Sequence, residues 1–123
     1  MSDKKILVID DDPDILESIT TILKSENFTV ITAYDGAEGL EKFKSEKPAL
    51  VICDMMMERV DAGSKVTEAI RKEDKETPIY LLSSIGDATY STIEIGKIGF
   101  NGALQKPVEP KILISEIKKA LKL

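Results

Sequence analysis

The sequence predicts an α/β chain in which one parallel sheet is covered by helices on both faces. Short aliphatic runs of strand length alternate five times with stretches of helical spacing, the pattern of consecutive βα units. Runs such as Ile6-Leu7-Val8-Ile9 and Leu50-Val51-Ile52-Cys53 show no polar alternation, as expected of strands buried on both sides. Both runs close on acid, Asp10-Asp11-Asp12 after the first and Asp54 after the second.

The first strand is expected over Lys5 to Asp10. Asp12-Pro13 then supplies an N-cap followed by proline at the first helical position, and Ile15, Ile19, Ile22 and Leu23 form a stripe at helical spacing. A second strand, Thr29 to Ala33, leads to Asp35 and Glu38, which have capping-box spacing and open a helix with Ala37, Leu40 and Phe43 on its inner face. The third strand is Leu50 to Asp54, and Val66, Ala69 and Ile70 mark the helix after it. The fourth strand is Ile79 to Ser83. The helix expected next, over 87 to 98, has weak intrinsic support because Thr89, Tyr90, Ser91, Thr92, Ile93 and Ile95 are mostly poor helix formers. Marginal elements of this kind supply moving parts. A fifth strand, Gly102 to Gln105, precedes a last helix opened by Pro110, with Leu113, Ile117, Ala120 and Leu121 on its stripe and Ile112 and Ile114 widening it.

A chain of 123 residues with 42% hydrophobic content is expected to form a single domain, with a core that needs no disulfide or metal to hold it. The single Cys53 has no partner for a disulfide and lies inside an apolar run, so it reads as a small buried hydrophobe in a reducing compartment. No apolar stretch approaches the roughly 20 residues of a membrane helix, and Met1 to Lys5 lead straight into a strand rather than a signal peptide. A cytoplasmic location without membrane attachment is expected. Seventeen basic against 22 acidic residues give a formal charge of −5, which repels a phosphate backbone and argues against direct nucleic-acid binding. Lys118, Lys119 and Lys122 read as a solvated face that complements the dipole of the last helix.

For five strands in a doubly wound sheet the common order is 2-1-3-4-5, the flavodoxin-like arrangement, in which the connections from strands one and three leave in opposite directions. Asp10, Asp11 and Asp54 then converge at the switch point, where open α/β sheets bind ligands. Strand four brings Ser83 to the same edge and strand five brings Lys106. Acids so assembled point to a metal. Asp12 reads as a helix cap, and Met55, Met56 and Met57 as packing and loop side chains, since thioethers are poor ligands for hard cations.

With these residues in place, the chain resembles a response-regulator receiver domain over nearly its whole length. The resemblance rests on Ile-Leu-Val-Ile-Asp-Asp-Asp-Pro at 6 to 13, Val-Ile-Cys-Asp-Met-Met-Met at 51 to 57, Pro-Ile-Tyr-Leu-Leu-Ser-Ser at 78 to 84 and Leu-Gln-Lys-Pro at 104 to 107. It implies that Asp54 is the phosphoacceptor, that Asp10 and Asp11 belong to a Mg²⁺ site, that Ser83 is the switch hydroxyl and that Lys106 contacts the phosphoryl group. It adds the Met56 carbonyl to the metal shell, sets Asp10 largely behind a bound water, and implies a cis bond between Lys106 and Pro107. The chemistry agrees: like charges about 4 Å apart repel by roughly 4 kcal/mol at an effective dielectric of about 20, so a carboxylate needs counter-charge to attack an anionic donor. Mg²⁺ supplies it through oxygen ligands, with Asp11 and Asp54 the direct ones expected. An ionised Asp needs no general base, so the absence of histidine is no obstacle. A phosphohistidine donor must then come from a sensor histidine kinase or histidine phosphotransfer protein, and the product would shift binding to a downstream effector protein. On this view the protein is not an enzyme beyond its own phosphorylation and dephosphorylation.

Departures from the family pattern are Glu58 where proline is usual, a loop over 59 to 63 that is one residue longer, and Ala103 where a Tyr or Phe switch is usual. Tyr90 or a rearranged fourth helix is a candidate to carry the signal instead. Other functions stay open. One is a pseudo-receiver that binds partners without phosphorylation. Another is a haloacid-dehalogenase-type phosphatase, for which Asp10-x-Asp12 is suggestive but Asp14 and the chain length are unfavourable. Flavodoxin-like FMN binding is poorer, because the first loop is acidic where a phosphate cradle is needed. No DNA-binding or catalytic segment follows the last helix, so the output is expected to pass through another molecule; the chain would be a stand-alone regulator, a relay intermediate or a piece of a longer protein. The apolar stripe of the last helix would permit a homodimer.

Overall fold

In a computed structural model, the structure describes residues 4–54, 62–83, 96, 97 and 99–123, without the side chains of 62–64. Five parallel strands, β1 (Lys5–Ile9), β2 (Thr29–Ala33), β3 (Leu50–Asp54), β4 (Ile79–Ser83) and β5 (Gly102–Gln105), form one sheet in the order β2-β1-β3-β4-β5. The described helices are α1 (Pro13–Ser25), α2 (Gly36–Glu46), α3 (Ala62–Glu73) and α4 (Pro110–Leu121). Strand β1 ends at Ile9, one residue before the expected Asp10, because the chain turns there into the β1–α1 loop. Gly96 and Lys97 are helical; the remainder of the helix expected over 87 to 98 lies outside the described residues.

The strands have no polar alternation because both faces of the sheet are covered. Ile6, Val8, Leu50, Ile52 and Leu82 meet Leu16, Ile19 and Leu23 of α1 and Leu113 and Ile117 of α4. Leu7, Ile9, Val51, Cys53 and Leu81 meet Phe43 of α2 and Val66 and Ile70 of α3. Each such aliphatic side chain contributes about 1.5–3 kcal/mol by leaving water, and truncating one, as in Ile52→Ala, would cost about 2–5 kcal/mol.

The helix ends are set by local chemistry. Asp12 Oδ1 accepts the Asp14 N–H at 2.9 Å, with Pro13 in the first turn. At the other end of α1, Asn27 is left-handed with φ 69°. Its N–H reaches the Lys24 carbonyl at 3.0 Å and that of Phe28 reaches the Leu23 carbonyl at 3.1 Å, a Schellman closure with Phe28 and Leu23 in the same core. Half of the expected capping box of α2 is present, Asp35 Oδ1 accepting the Glu38 N–H at 2.8 Å, while Glu38 Oε1 reaches past the N-cap to accept the Tyr34 N–H at 2.7 Å.

Three helix faces differ from expectation. In α1 the fully covered positions are Leu16, Ile19 and Leu23, with Ile15 and Ile22 at the margin. In α2 Ala37 is exposed, and Gly36, Gly39 and Phe43 are buried. The helix lies so close to the sheet that its inner face uses glycines, which hydrophobic spacing does not reveal. In α4, Leu113 and Ile117 are buried whereas Ile112 is 53% exposed.

A clasp joins α3 to the start of β4 and the entry to β5. Arg71 donates through Nε to the Gly99 carbonyl at 3.0 Å, through Nη1 to the Asp74 carbonyl at 3.1 Å and through Nη2 to Asn101 Oδ1 at 2.9 Å. The same Asn101 oxygen accepts the Ile79 N–H at 2.9 Å. Gly99 has φ +125°, and a Cβ there would stand 2.8 Å from Arg71 Cγ, so both backbone and space require glycine.

Candidate functional site

The strand ends carry the core pattern into the crevice. Side chains two apart share a face of the sheet, and Val8 pairs with Ile52 across β1 and β3. One further step along each strand sets Asp10 and Asp54 side by side, both buried. Asp10 is fixed three ways: its N–H reaches the Ala33 carbonyl at 3.1 Å, its Oδ1 accepts the Asp12 N–H at 2.9 Å, and its Oδ2 lies 2.9 Å from Lys106 Nζ. Asp11 projects from the resulting turn and is exposed. Carboxylate oxygens of Asp10, Asp11 and Asp54 all lie within 4.8 Å of one another.

Lys106 follows β5, and its cis bond to Pro107 is as the resemblance implied. Its backbone N–H reaches the Ser83 carbonyl at 2.8 Å, tying the ends of β4 and β5 together. Its ammonium sits 2.9 Å from Asp10 Oδ2 and 3.3 Å from Asp54 Oδ2. Burial alone would lower the Lys106 pKa, but the contact with Asp10 and the charges of Asp54 and Asp10 outweigh it and hold the group above its ordinary value. Lys106 is therefore a fixed positive charge among three acids. The approach to Asp10 lacks hydrogen-bond alignment, which leaves Oδ2 with acceptor capacity.

The donor set fits a hard divalent cation: three carboxylates converge, one of them open to solvent, and one lysine offsets only part of their charge. Oxygen-only coordination with room for water suits Mg²⁺ better than a soft metal. The Cys53 thiol is buried on the opposite face among Ile9, Val51 and Leu81, with Sγ 3.4 Å from the Asp54 carbonyl oxygen.

The structure thus brings Asp10, Asp11, Asp54 and Lys106 together, and sets Ser83, half-buried, at the end of β4 beside them through its carbonyl. Met56, Glu58 and Tyr90 lie outside the described residues. Ala103 is exposed on β5, where with Gln105, Pro107, Val108 and Ile112 it lines a shallow pocket of about 430 Å³. Sequence spacing gave no hint of the Asp10 to Asp12 backbone contact, although an Asp two residues before a free N–H is the usual signal for such a turn.

Comparison with known proteins bears on this site. A family model described as the response regulator receiver domain matches residues 6–118. The chain is 37% identical over 122 residues to the probable transcriptional regulator ycf27 of Porphyridium aerugineum, covering 99% of this chain and 50% of that protein. It is 32% identical over 119 residues to the alkaline phosphatase synthesis transcriptional regulatory protein PhoP of Bacillus subtilis, covering 97% and 48%. The chain spans about half the length of these relatives. Among solved structures, a putative response regulator from Chloroflexus aurantiacus superposes with a TM-score of 0.89 at 28% identity, covering 99% of this chain and 100% of that one. The chemotaxis response regulator CheY4 of Vibrio cholerae superposes with a TM-score of 0.85 at 29% identity, covering 98% and 100%.

Proposed function

The chain belongs to the response regulator receiver domain family, and from that membership we propose that residues 1–123 form a single receiver domain that accepts a phosphoryl group on Asp54 and thereby switches the binding of an effector. The observation that carries this is the convergence of Asp10, Asp11 and Asp54 on one crevice with Lys106 between two of them.

In the proposed reaction a carboxylate oxygen of Asp54 attacks phosphorus in line with the donor. A P–O bond forms as the bond from phosphorus to the donor's leaving atom breaks, and the electron pair departs with that atom. A carboxylate nucleophile needs no base. Lys106, already 3.3 Å from Asp54 Oδ2, offers its charge to a phosphoryl oxygen. Asp10, held by the Asp12 N–H and Lys106, keeps the β1–α1 turn in shape and Asp11 at the rim. Mg²⁺ held by Asp11 and Asp54, with Asp10 behind a water and the Met56 carbonyl completing the protein ligands, would offset the charge that otherwise repels the donor. Ser83 would then turn its hydroxyl toward the aspartyl phosphate.

The chain has no histidine, so a phosphohistidine donor would be a sensor kinase or a phosphotransfer protein. Regulators of transcription among the relatives favour an effector that controls DNA, with contact to nucleic acid made by that effector rather than by this acidic domain. A cytoplasmic setting accords with such partners, and no described helix is long and apolar enough to cross a membrane. The test is intact mass after incubation with acetyl phosphate, with and without Mg²⁺, on the parent and Asp54→Asn. A Mg²⁺-dependent phosphoryl adduct on the parent alone is expected. No adduct, with Mg²⁺ binding verified, would refute phosphorylation and leave a pseudo-receiver.

A further inference from the structure

Helix α2 crosses the end of β1 at Gly39, and there is no room for a side chain. A Cβ on Gly39 would stand 2.5 Å from Ile9 Cδ1, 2.9 Å from Cγ1 and 3.2 Å from Cγ2. Only the first of these atoms is the end of a flexible chain. The other two are attached to the Ile9 Cβ, whose χ1 is stiff in a branched residue. Ile9 is fully buried and flanked in the sheet by Ala33 and Cys53, so it has no lateral escape.

Both sides of this contact are anchored. The first turn of α2 is held to the end of β2 by the Asp35–Glu38 and Glu38–Tyr34 bonds, and the Gly39 N–H closes on the Asp35 carbonyl at 2.9 Å. On the other side, Ile9 is joined covalently to Asp10, whose carboxylate holds the Asp12 N–H and Lys106. A side chain at position 39 would therefore press directly on the end of β1, whose next residues are Asp10 and Asp11.

We propose that Gly39 is a positioning residue for the cation site, setting through Ile9 where β1 delivers Asp10 and Asp11. This rests on the Mg²⁺ site proposed above and extends it to a residue on another element that touches no ligand. Mg²⁺ demands near-ideal octahedral geometry, so displacements of a few tenths of an ångström at two of three carboxylates weaken binding. Residues supporting metal ligands from outside typically change affinity by about 10-fold or more, and Gly39→Ala is expected to weaken Mg²⁺ binding by about 5–10-fold.

The experiment is calorimetric titration of MgCl₂ into the metal-free full chain for the parent, Gly39→Ala, Ile9→Val and the double variant, with circular dichroism as a check on folding. Removing Cδ1 relieves the tightest contact but leaves a γ carbon at 2.9 Å, so the double variant is expected to recover part of the lost affinity, a coupling that independent sites would not give. A merely structural role predicts a lower melting temperature from overpacking against Ile9, with Mg²⁺ affinity unchanged. Gly39→Ala binding Mg²⁺ as the parent does would overturn the proposal. If Gly39→Ala does not fold, the double variant decides: a folded protein with Mg²⁺ affinity below the parent's supports the proposal, and parental affinity or loss of folding overturns it. A parent that binds no Mg²⁺ would overturn the cation site itself, a result distinct from any difference among the variants.

Discussion

Replacing Asp11 by Asn should make the metal-free protein more stable. Asp11 shares with Asp10 and Asp54 a set of carboxylate oxygens within 4.8 Å of one another. At that separation each like-charge pair costs about 3.5 kcal/mol at an effective dielectric of about 20, and about 0.9 kcal/mol in bulk water. Asp11 is exposed, so the water limit is the nearer one. Lys106, bound to Asp10 and Asp54, further reduces the field that Asp11 feels. Relief of two pairs should therefore stabilise the protein by about 1–2 kcal/mol, or roughly 3–8 °C in Tm for a domain of this size.

The assay is thermal and urea denaturation in EDTA, repeated with MgCl₂. In EDTA the Asp11→Asn curve should lie above the parent. At Mg²⁺ ten times its Kd the parent should gain about 1.4 kcal/mol by mass action and close the gap, while the variant, lacking a ligand, should gain little. A variant no more stable than the parent in EDTA would refute the claim that these acids repel one another in the folded state. Equal Mg²⁺ stabilisation of both proteins would refute the assignment of Asp11 as a ligand.

Lys106→Met should have the opposite sign, destabilising the protein by about 3 kcal/mol through loss of the counter-charge to buried Asp10 and Asp54; urea denaturation in EDTA measures it, and Mg²⁺ should restore part of the loss. Arg71→Lys keeps the charge but loses the three-way fork to Gly99, Asp74 and Asn101, and should cost about 1–3 kcal/mol in the same assay. Asp74 is held below its ordinary carboxylate value, first by the Thr77 hydroxyl and then by the backbone N–H groups of Thr77 and Glu76. A depressed folded pKa gives stability that is present above the unfolded value and lost as pH falls through the folded one. Asp74→Asn should therefore cost about 1 kcal/mol at pH 7, and the difference from the parent should shrink as pH falls below the ordinary Asp value of 3.8; urea midpoints across that range check it.

The strands and their order were legible because strands buried on both faces read as unbroken aliphatic runs, and because five βα units have few ways to wind. The acids were legible for a related reason: Asp10 at the end of such a run has no solvent to satisfy it, so its presence there requires a purpose. What was not legible depends on tertiary placement. Gly36 and Gly39, rather than Ala37, form the inner face of α2, since closeness to the sheet outweighs hydrophobicity at that crossing. Arg71 and Asn101 lie 30 residues apart and carry no spacing signal. Asp10 reaching forward to the Asp12 N–H depends on the turn after β1.

The same register that builds the core also assembles the crevice. Ile6 and Val8 of β1, Leu50 and Ile52 of β3 and Leu104 of β5 all face α1 and α4, and Asp10, Asp54 and Lys106 are the next positions in those rows. A slip of one residue in any of these strands would move its hydrophobic row to the wrong face and remove its charged residue from the crevice at once. The apolar rows therefore enforce a convergence of acids that repel one another, and the lysine at the end of β5 offsets only part of the repulsion. Folding supplies the energy that holds the acids together, and a cation bound among them would recover part of it. This is why the stability of the metal-free protein and its affinity for Mg²⁺ should move in opposite directions when Asp11 is changed, whereas crowding the end of β1 from α2 should lower both.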